Sequence, residues 1–268
     1  MKNENATSFE LHGFVVIKHL FSKELIETAR ECVYNYASDS TFNEIDHGKH
    51  FLTDRKDQGV LYDSYFKFPA VRKLLESEVL IDLFEDLLDD GVILYESSIV
   101  YKPEGTHNEV PFHQDFMNRG GERKLIVWVA LDEVSVSNGA LKIVPGSHHE
   151  GYRDFVKIKG ETHHTRLRGW ELFNEGSHFV EMNKGDVLVF DARLIHGSDR
   201  VDVTSTRFAA RFAVTSMAEN NLPRCVPVIL SSDKNLFSSK TKSRVTPESM
   251  LKRLKRRMRK YVINNFPV

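Results

Sequence analysis

Between residues 92 and 214 the chain breaks into short apolar runs separated by turn dipeptides, whereas the tract before residue 92 carries its apolar side chains at helical spacing. The runs fall at residues 97–101, 125–131, 141–144, 187–190 and 208–214, and Asn138-Gly139, Pro145-Gly146 and Lys184-Gly185 supply turns. A short strand buries too little surface to stand alone, so such runs must share a core. Helices first and strands afterwards predict a helical wall packed on a closed or double sheet.

Finer punctuation agrees. Residues 14–17 read as a strand after Gly13, and Ser22 is placed to cap a helix carrying Leu25, Ile26 and Ala29. Pro69 opens a second helical tract, and residues 79–88 form a third that Gly91 is expected to stop. Residues 35–66 read as a long loop, either near the mouth of a site or wrapped over the core. The polar segment 149–178, with His163, His164, Trp170 and Phe173, reads equally well as a substrate lid or a structural excursion.

One domain of 268 residues accommodates this order: 1–91 as largely helical support, 92–215 as the sheet core, and 216–268 as an extension. Lys+Arg total 37 against 38 Asp+Glu, which gives no general case for a polyanionic partner. Cys32 and Cys225 are the only cysteines, too few for a disulfide scaffold, and the polar start has no signal-like apolar run. No run reaches membrane-spanning length, and a reducing, cytoplasmic setting is expected.

The densest chemistry is His113-Gln114-Asp115. On an extended strand His113 and Asp115 share one face and Gln114 takes the other. His196, which follows the 187–190 run, can complete a set of two imidazoles and one carboxylate, the ligand set of non-haem Fe(II) oxygenases. The gap from 113 to 196 is unlike the short spacing of structural zinc motifs. His148-His149 is the main competitor for third ligand, although adjacent strand residues face opposite ways; beyond Gly146 it reads as an exposed or supporting pair. On the 208–214 strand, Arg207, Ala209, Arg211 and Ala213 share a face, and Phe208, Ala210, Phe212 and Val214 share the other as core. An arginine on an interior face needs an anion, supplied either by a dicarboxylate cosubstrate or by an internal Asp or Glu.

Phe112-His113-Gln114-Asp115-Phe116, Ala130-Leu131-Asp132, Asn138-Gly139-Ala140-Leu141, Pro145-Gly146-Ser147-His148, Gly185-Asp186 and His196-Gly197-Ser198, with Arg207 eleven residues after His196, together resemble the phytanoyl-CoA dioxygenase family of Fe(II)/2-oxoglutarate oxygenases. The resemblance runs over roughly residues 90–215 and departs at Val201 and Val203. It implies a mainly β fold with flanking helices, a double-stranded β-helix or jelly roll. It also implies Fe(II) on His113, Asp115 and His196, with 2-oxoglutarate and O2 as cosubstrates. Arg207 would bind the distal carboxylate of 2-oxoglutarate, Ser198 would assist, and Trp128 would line the pocket or pack in the core. Arg211 would take the role of clamp if the strand register shifted. Asp115 argues against halogenation, where a small residue leaves room for halide, so hydroxylation of a small-molecule substrate is the expected reaction.

The family handles acyl-CoAs as well as small polar solutes; a small polar metabolite or biosynthetic intermediate is the expectation, with a lipid-derived substrate as alternative. Residues 247–262 place Met250, Leu251, Leu254, Met258, Tyr261 and Val262 on one stripe amid seven basic residues. That stripe is expected to pack on the domain; contact with nucleic acid or an acidic surface, as in a non-catalytic jelly-roll adaptor, is the other reading.

Overall fold

A computed structural model describes residues 2–38, 54–104, 109–117, 121–157, 166–202, 204–219, 221, 223–224 and 228–231. Its helices are α1 (Lys2–His12), α2 (Lys23–Ser38), α3 (Ser64–Lys67), α4 (Pro69–Leu75) and α5 (Glu78–Leu88). Its strands are β1 (Phe14–Ile17), β2 (Val60–Tyr62), β3 (Val92–Lys102), β4 (Val110–His113), β5 (Lys124–Ala130), β6 (Leu141–Ile143), β7 (Phe155–Val156), β8 (Arg166–Leu167), β9 (His178–Val180), β10 (Val187–Asp191), β11 (His196–Ser198), β12 (Arg207–Ser216) and β13 (Val228–Leu230).

All strand pairings among the described residues are antiparallel. A major sheet runs β1-β10-β5-β12-β3-β13, with β2 also paired to β3, and a minor sheet runs β4-β11-β6-β9. This is the expected mainly β jelly roll with flanking helices. The major sheet draws β1, β2 and β13 from outside residues 92–215. Both of its faces are covered, which explains why β5 is buried at every position. Leu125, Val127 and Val129 pack with Phe208, Ala210 and Phe212 against the helices, where α2 contributes Ile26, Ala29 and Val33 and α5 contributes Leu80, Leu83, Phe84 and Leu87. Ile126, Trp128, Ala130, Leu188, Phe190, Ala209 and Ala213 form the layer between the sheets. The alternation expected on β12 is therefore present.

Several local expectations need revision. The polar start forms α1, docked by the fully buried Phe9. The third helix is ended by Asp89, whose backbone is left-handed at φ 47°, two residues before Gly91. Residues 54–67 are not a structureless loop: they form a 3-10 turn, β2 and α3. Asn138-Gly139, Pro145-Gly146 and Lys184-Gly185 do turn the chain, with φ of 89°, 78° and 85° at the glycines. No helix among the described residues is long and apolar enough to cross a membrane. The basic stripe at 247–262 lies outside the described residues.

Candidate metal centre

The minor sheet brings the two histidines together by register. His113, the last residue of β4, is the direct antiparallel partner of His196, the first residue of β11, and their ring centroids are 4.2 Å apart. Gly197 permits this approach, because a Cβ there would lie 2.6 Å from the Val110 carbonyl oxygen. Asp115 sits in the turn just beyond β4 rather than within it, held by a hydrogen bond from its N–H to the Ala192 carbonyl at 2.8 Å. Gln114 points away, as expected, and its amide donates to the Gly151 and Arg193 carbonyls and accepts from the Arg153 N–H.

Ligand atoms of His113, Asp115 and His196 all lie within 4.8 Å of one another, a spacing one ion can bridge. Each imidazole has its Nδ1 2.9 Å from a backbone carbonyl, of Pro111 for His113 and of Leu194 for His196. That contact assigns the proton to Nδ1 and leaves Nε2 as the ligand. Burial, reinforced by the neighbouring His196, lowers His113 to about 4, and burial lowers His196 as well, so both rings are neutral near pH 7. Burial alone would raise the Asp115 carboxyl, but Arg211 and the two imidazoles outweigh it and bring it to about 2. Two neutral nitrogens and one carboxylate, preformed and oriented, fit Fe(II).

The major sheet faces this cluster with an inner row of polar side chains. Arg207 is the register partner of Lys102 on β3, and Arg211 pairs with Ser98 on β3 and Trp128 on β5. The two arginines differ in partners. Arg211 Nη1 donates to Glu96 at 2.8 Å and its Nη2 lies 3.0 Å from Asp115 Oδ2; those carboxylates raise its pKa although burial opposes them. Arg207 is buried over the face of Trp128, 5.0 Å from the ring centroid, and its Nε and Nη1 have no hydrogen-bond partner. Burial pushes it down to about 10, with Asp132 opposing. The buried Ser198 hydroxyl also has no partner. Lys102, buried beside Arg207, is lowered to about 8 by burial and then by that neighbouring charge.

All of these groups line one cavity of about 410 Å³ between the sheets, joined by Arg55, Tyr62, Glu96 and Arg224. Sequence reasoning missed Lys102, Glu96, Arg55 and Arg224 as cavity residues. Glu96 and Lys102 share the inward face of β3 at even spacing, a signal that was available; Arg55 and Arg224 carried none. His148-His149 is not part of the cluster. His148 is buried rather than exposed, its Nε2 lies 3.2 Å from the Glu10 carbonyl, and His149 meets the Leu11 carbonyl, so the pair fastens the Gly146 turn to α1. Within 149–178, Leu167 and Phe173 pack with Phe112 on the outer face of the minor sheet, while Phe155 reaches the cavity.

A jelly roll enclosing a two-histidine, one-aspartate facial triad defines the class: a non-haem Fe(II)/2-oxoglutarate-dependent dioxygenase. The family model for phytanoyl-CoA dioxygenase (PhyH) matches residues 9–209, and the chain belongs to that family. Ectoine dioxygenase of Sphingopyxis alaskensis is 25% identical over 243 residues, covering 82% of this chain and 77% of the relative. A probable alpha-ketoglutarate-dependent hypophosphite dioxygenase of Stutzerimonas stutzeri is 31% identical over 137 residues, 49% of this chain and 48% of that protein. The crystal structure of EctD from S. alaskensis with 2-oxoglutarate and 5-hydroxyectoine shares the fold with a TM-score of 0.66, at 23% identity, covering 83% of this chain and 79% of that one.

Proposed function

We propose that the enzyme hydroxylates an unactivated C–H bond of a small polar metabolite or biosynthetic intermediate, with His113, Asp115 and His196 holding Fe(II) and Arg207 holding the distal carboxylate of 2-oxoglutarate. The observation that carries this reading is the unpartnered guanidinium of Arg207 in the same cavity as the triad. A buried cation without a partner is costly, and a carboxylate ligand removes that cost. Arg211 is already engaged by Asp115 and Glu96, so Arg207 is the better clamp.

Bound Fe(II) and 2-oxoglutarate supply the oxidising chemistry, coupling loss of CO2 and formation of succinate to insertion of one oxygen atom from O2. The chain's own residues orient and shield. Pro111 and Leu194 fix the imidazole tautomers, and Arg211 holds Asp115 ionised and directed inward. Trp128 keeps Arg207 from swinging away, and the Ser198 hydroxyl offers a donor beside it. Phe116 and Phe190 give the cavity apolar walls that exclude water. A volume of about 410 Å³ suits a small molecule, as does similarity to a relative named for ectoine. Exposed Cys32, a free thiol, fits a reducing cytoplasmic setting.

The test is anaerobic loading with Fe(II) and 2-oxoglutarate, then admission of oxygen in the presence of a metabolite panel. Succinate release stimulated by one member, with a product heavier by one oxygen, is expected. Turnover that persists in metal-stripped protein, or in His113→Ala and His196→Ala, would sink the assignment.

A further inference from the structure

The charges around the cavity do not balance. Four arginines, Arg55, Arg207, Arg211 and Arg224, line it with two carboxylates, Glu96 and Asp115. Fe(II) brings two positive charges and 2-oxoglutarate two negative ones, so loading the cofactors leaves the excess of two positive charges among these side chains standing.

The excess is built at identifiable places. Glu96 is shared between Arg211 and Arg224, with Arg224 Nη1 2.6 Å from Glu96 Oε2. One carboxylate thus serves two guanidinium groups, and Asp115, the other neighbour of Arg211, belongs to the metal. Arg224 is held at the wall because its N–H donates to the Tyr95 carbonyl at 2.7 Å. On the β2 side, Arg55 donates from Nη2 to the Tyr62 hydroxyl at 2.6 Å and lies 5.6 Å from that ring's centroid, with no acidic partner among the described residues. Apolar walls and a low local dielectric make such an excess attract a counter-charge more strongly than an exposed basic patch would.

We propose that the organic substrate is an anion, bearing a carboxylate or phosphate group that is read by Arg224 and Arg55. This deepens the proposed function and rests on its placement of Fe(II) on the triad and 2-oxoglutarate on Arg207. The acidic group docks against spare donors of the two guanidinium forks, and the reacting carbon is thereby brought to the triad. Neutral or cationic molecules of equal size gain no such contact and leave the excess uncompensated.

Inorganic phosphate, acetate, glycerol and ethylammonium serve as probes, titrated calorimetrically into anaerobic protein loaded with Fe(II) and 2-oxoglutarate. Phosphate or acetate is expected to bind saturably without releasing 2-oxoglutarate, and glycerol and ethylammonium are not. Arg55→Gln and Arg224→Gln each weaken anion binding, relative to 2-oxoglutarate binding by the same variant, by roughly ten- to a hundredfold, the worth of one charge-assisted hydrogen bond. Lys184→Gln, which removes an exposed cation paired with Glu27, is the control for net charge and leaves anion binding unchanged. In turnover assays with matched pairs, an acid and its amide or a phosphate ester and its alcohol, any stimulation falls to the charged member. No saturable anion binding, displacement of 2-oxoglutarate by the probe, wild-type anion affinity in both arginine variants, or stimulation by the neutral partner overturns the inference. Protein that fails to load Fe(II) and 2-oxoglutarate sinks the proposed function instead, so the two failures are distinguishable.

Discussion

Replacing Arg207 by Met separates a cosubstrate clamp from a structural arginine, because the two roles predict opposite effects on the ligand-free fold. Arg207 is 5% exposed, and its Nε and Nη1 have no hydrogen-bond partner. Burial lowers its pKa from the ordinary arginine value to about 10, so at neutral pH the folded chain carries a cation it would hold more easily when unfolded. That depression corresponds to roughly 3 kcal/mol of lost stability, fully present below pH 10 and fading as the pH rises above it. Contact with Trp128 offsets part of it. Arg207→Met, similar in length and apolar, is therefore expected to leave the metal-free, 2-oxoglutarate-free protein as stable as wild type or up to about 3 kcal/mol more stable. Binding should move the other way. Loss of a guanidinium fork from a buried carboxylate costs about 3–5 kcal/mol, a hundred- to several-thousand-fold rise in the 2-oxoglutarate requirement. Urea unfolding of the apo protein and calorimetric titration of 2-oxoglutarate measure the two quantities. Arg207→Lys, which keeps the charge without the fork, falls between them. An unchanged 2-oxoglutarate requirement, or an apo protein destabilised by several kcal/mol, refutes the reasoning.

Arg211 should behave in the opposite sense. Its removal as Arg211→Met leaves Asp115 without its guanidinium partner and Glu96 with only Arg224, which is expected to cost about 3–5 kcal/mol of stability and ten- to a hundredfold in iron affinity, read by denaturation and by metal content after dialysis. The pH dependence of the metal-free protein follows from His113, lowered from 6.5 to about 4 by burial and by His196. A depressed histidine is protonated first in the unfolded chain, so stability falls by roughly 3 kcal/mol as the pH drops from 6.5 to 4 and then levels off. Urea unfolding across that range should show this slope in wild type and a shallower one in His113→Gln, the remainder coming from His196, which burial also lowers.

The inner face of β12 was legible because an alternating strand declares its faces. Arg207, Ala209, Arg211 and Ala213 could not be core and solvent at once, and the structure turns them all inward. His113 and Asp115 were legible as a pair for the same reason, although Asp115 reaches its place through a turn anchored to Ala192 rather than through a strand. What stayed hidden depended on packing between distant segments. Nothing local to Arg207 and Arg211 says which is free; that follows from Glu96 lying within reach of Arg211 from β3, and from Arg224 arriving on the other side of Glu96. The buried position of His148 was equally illegible, since the turn alone does not reveal that α1 folds over it.

By itself the sequence determined that a helical tract precedes a strand-rich one, the inward face of the arginine strand and the identity of three metal ligands, because hydrophobic period and side-chain chemistry are local properties. Only the tertiary structure decided that His113 faces His196 in register, that one arginine is satisfied and the other is not, and that the cavity holds a surplus of positive charge. Those facts depend on distances between side chains far apart in the chain, and charge balance in a buried cavity exists only once the two sheets have closed around it.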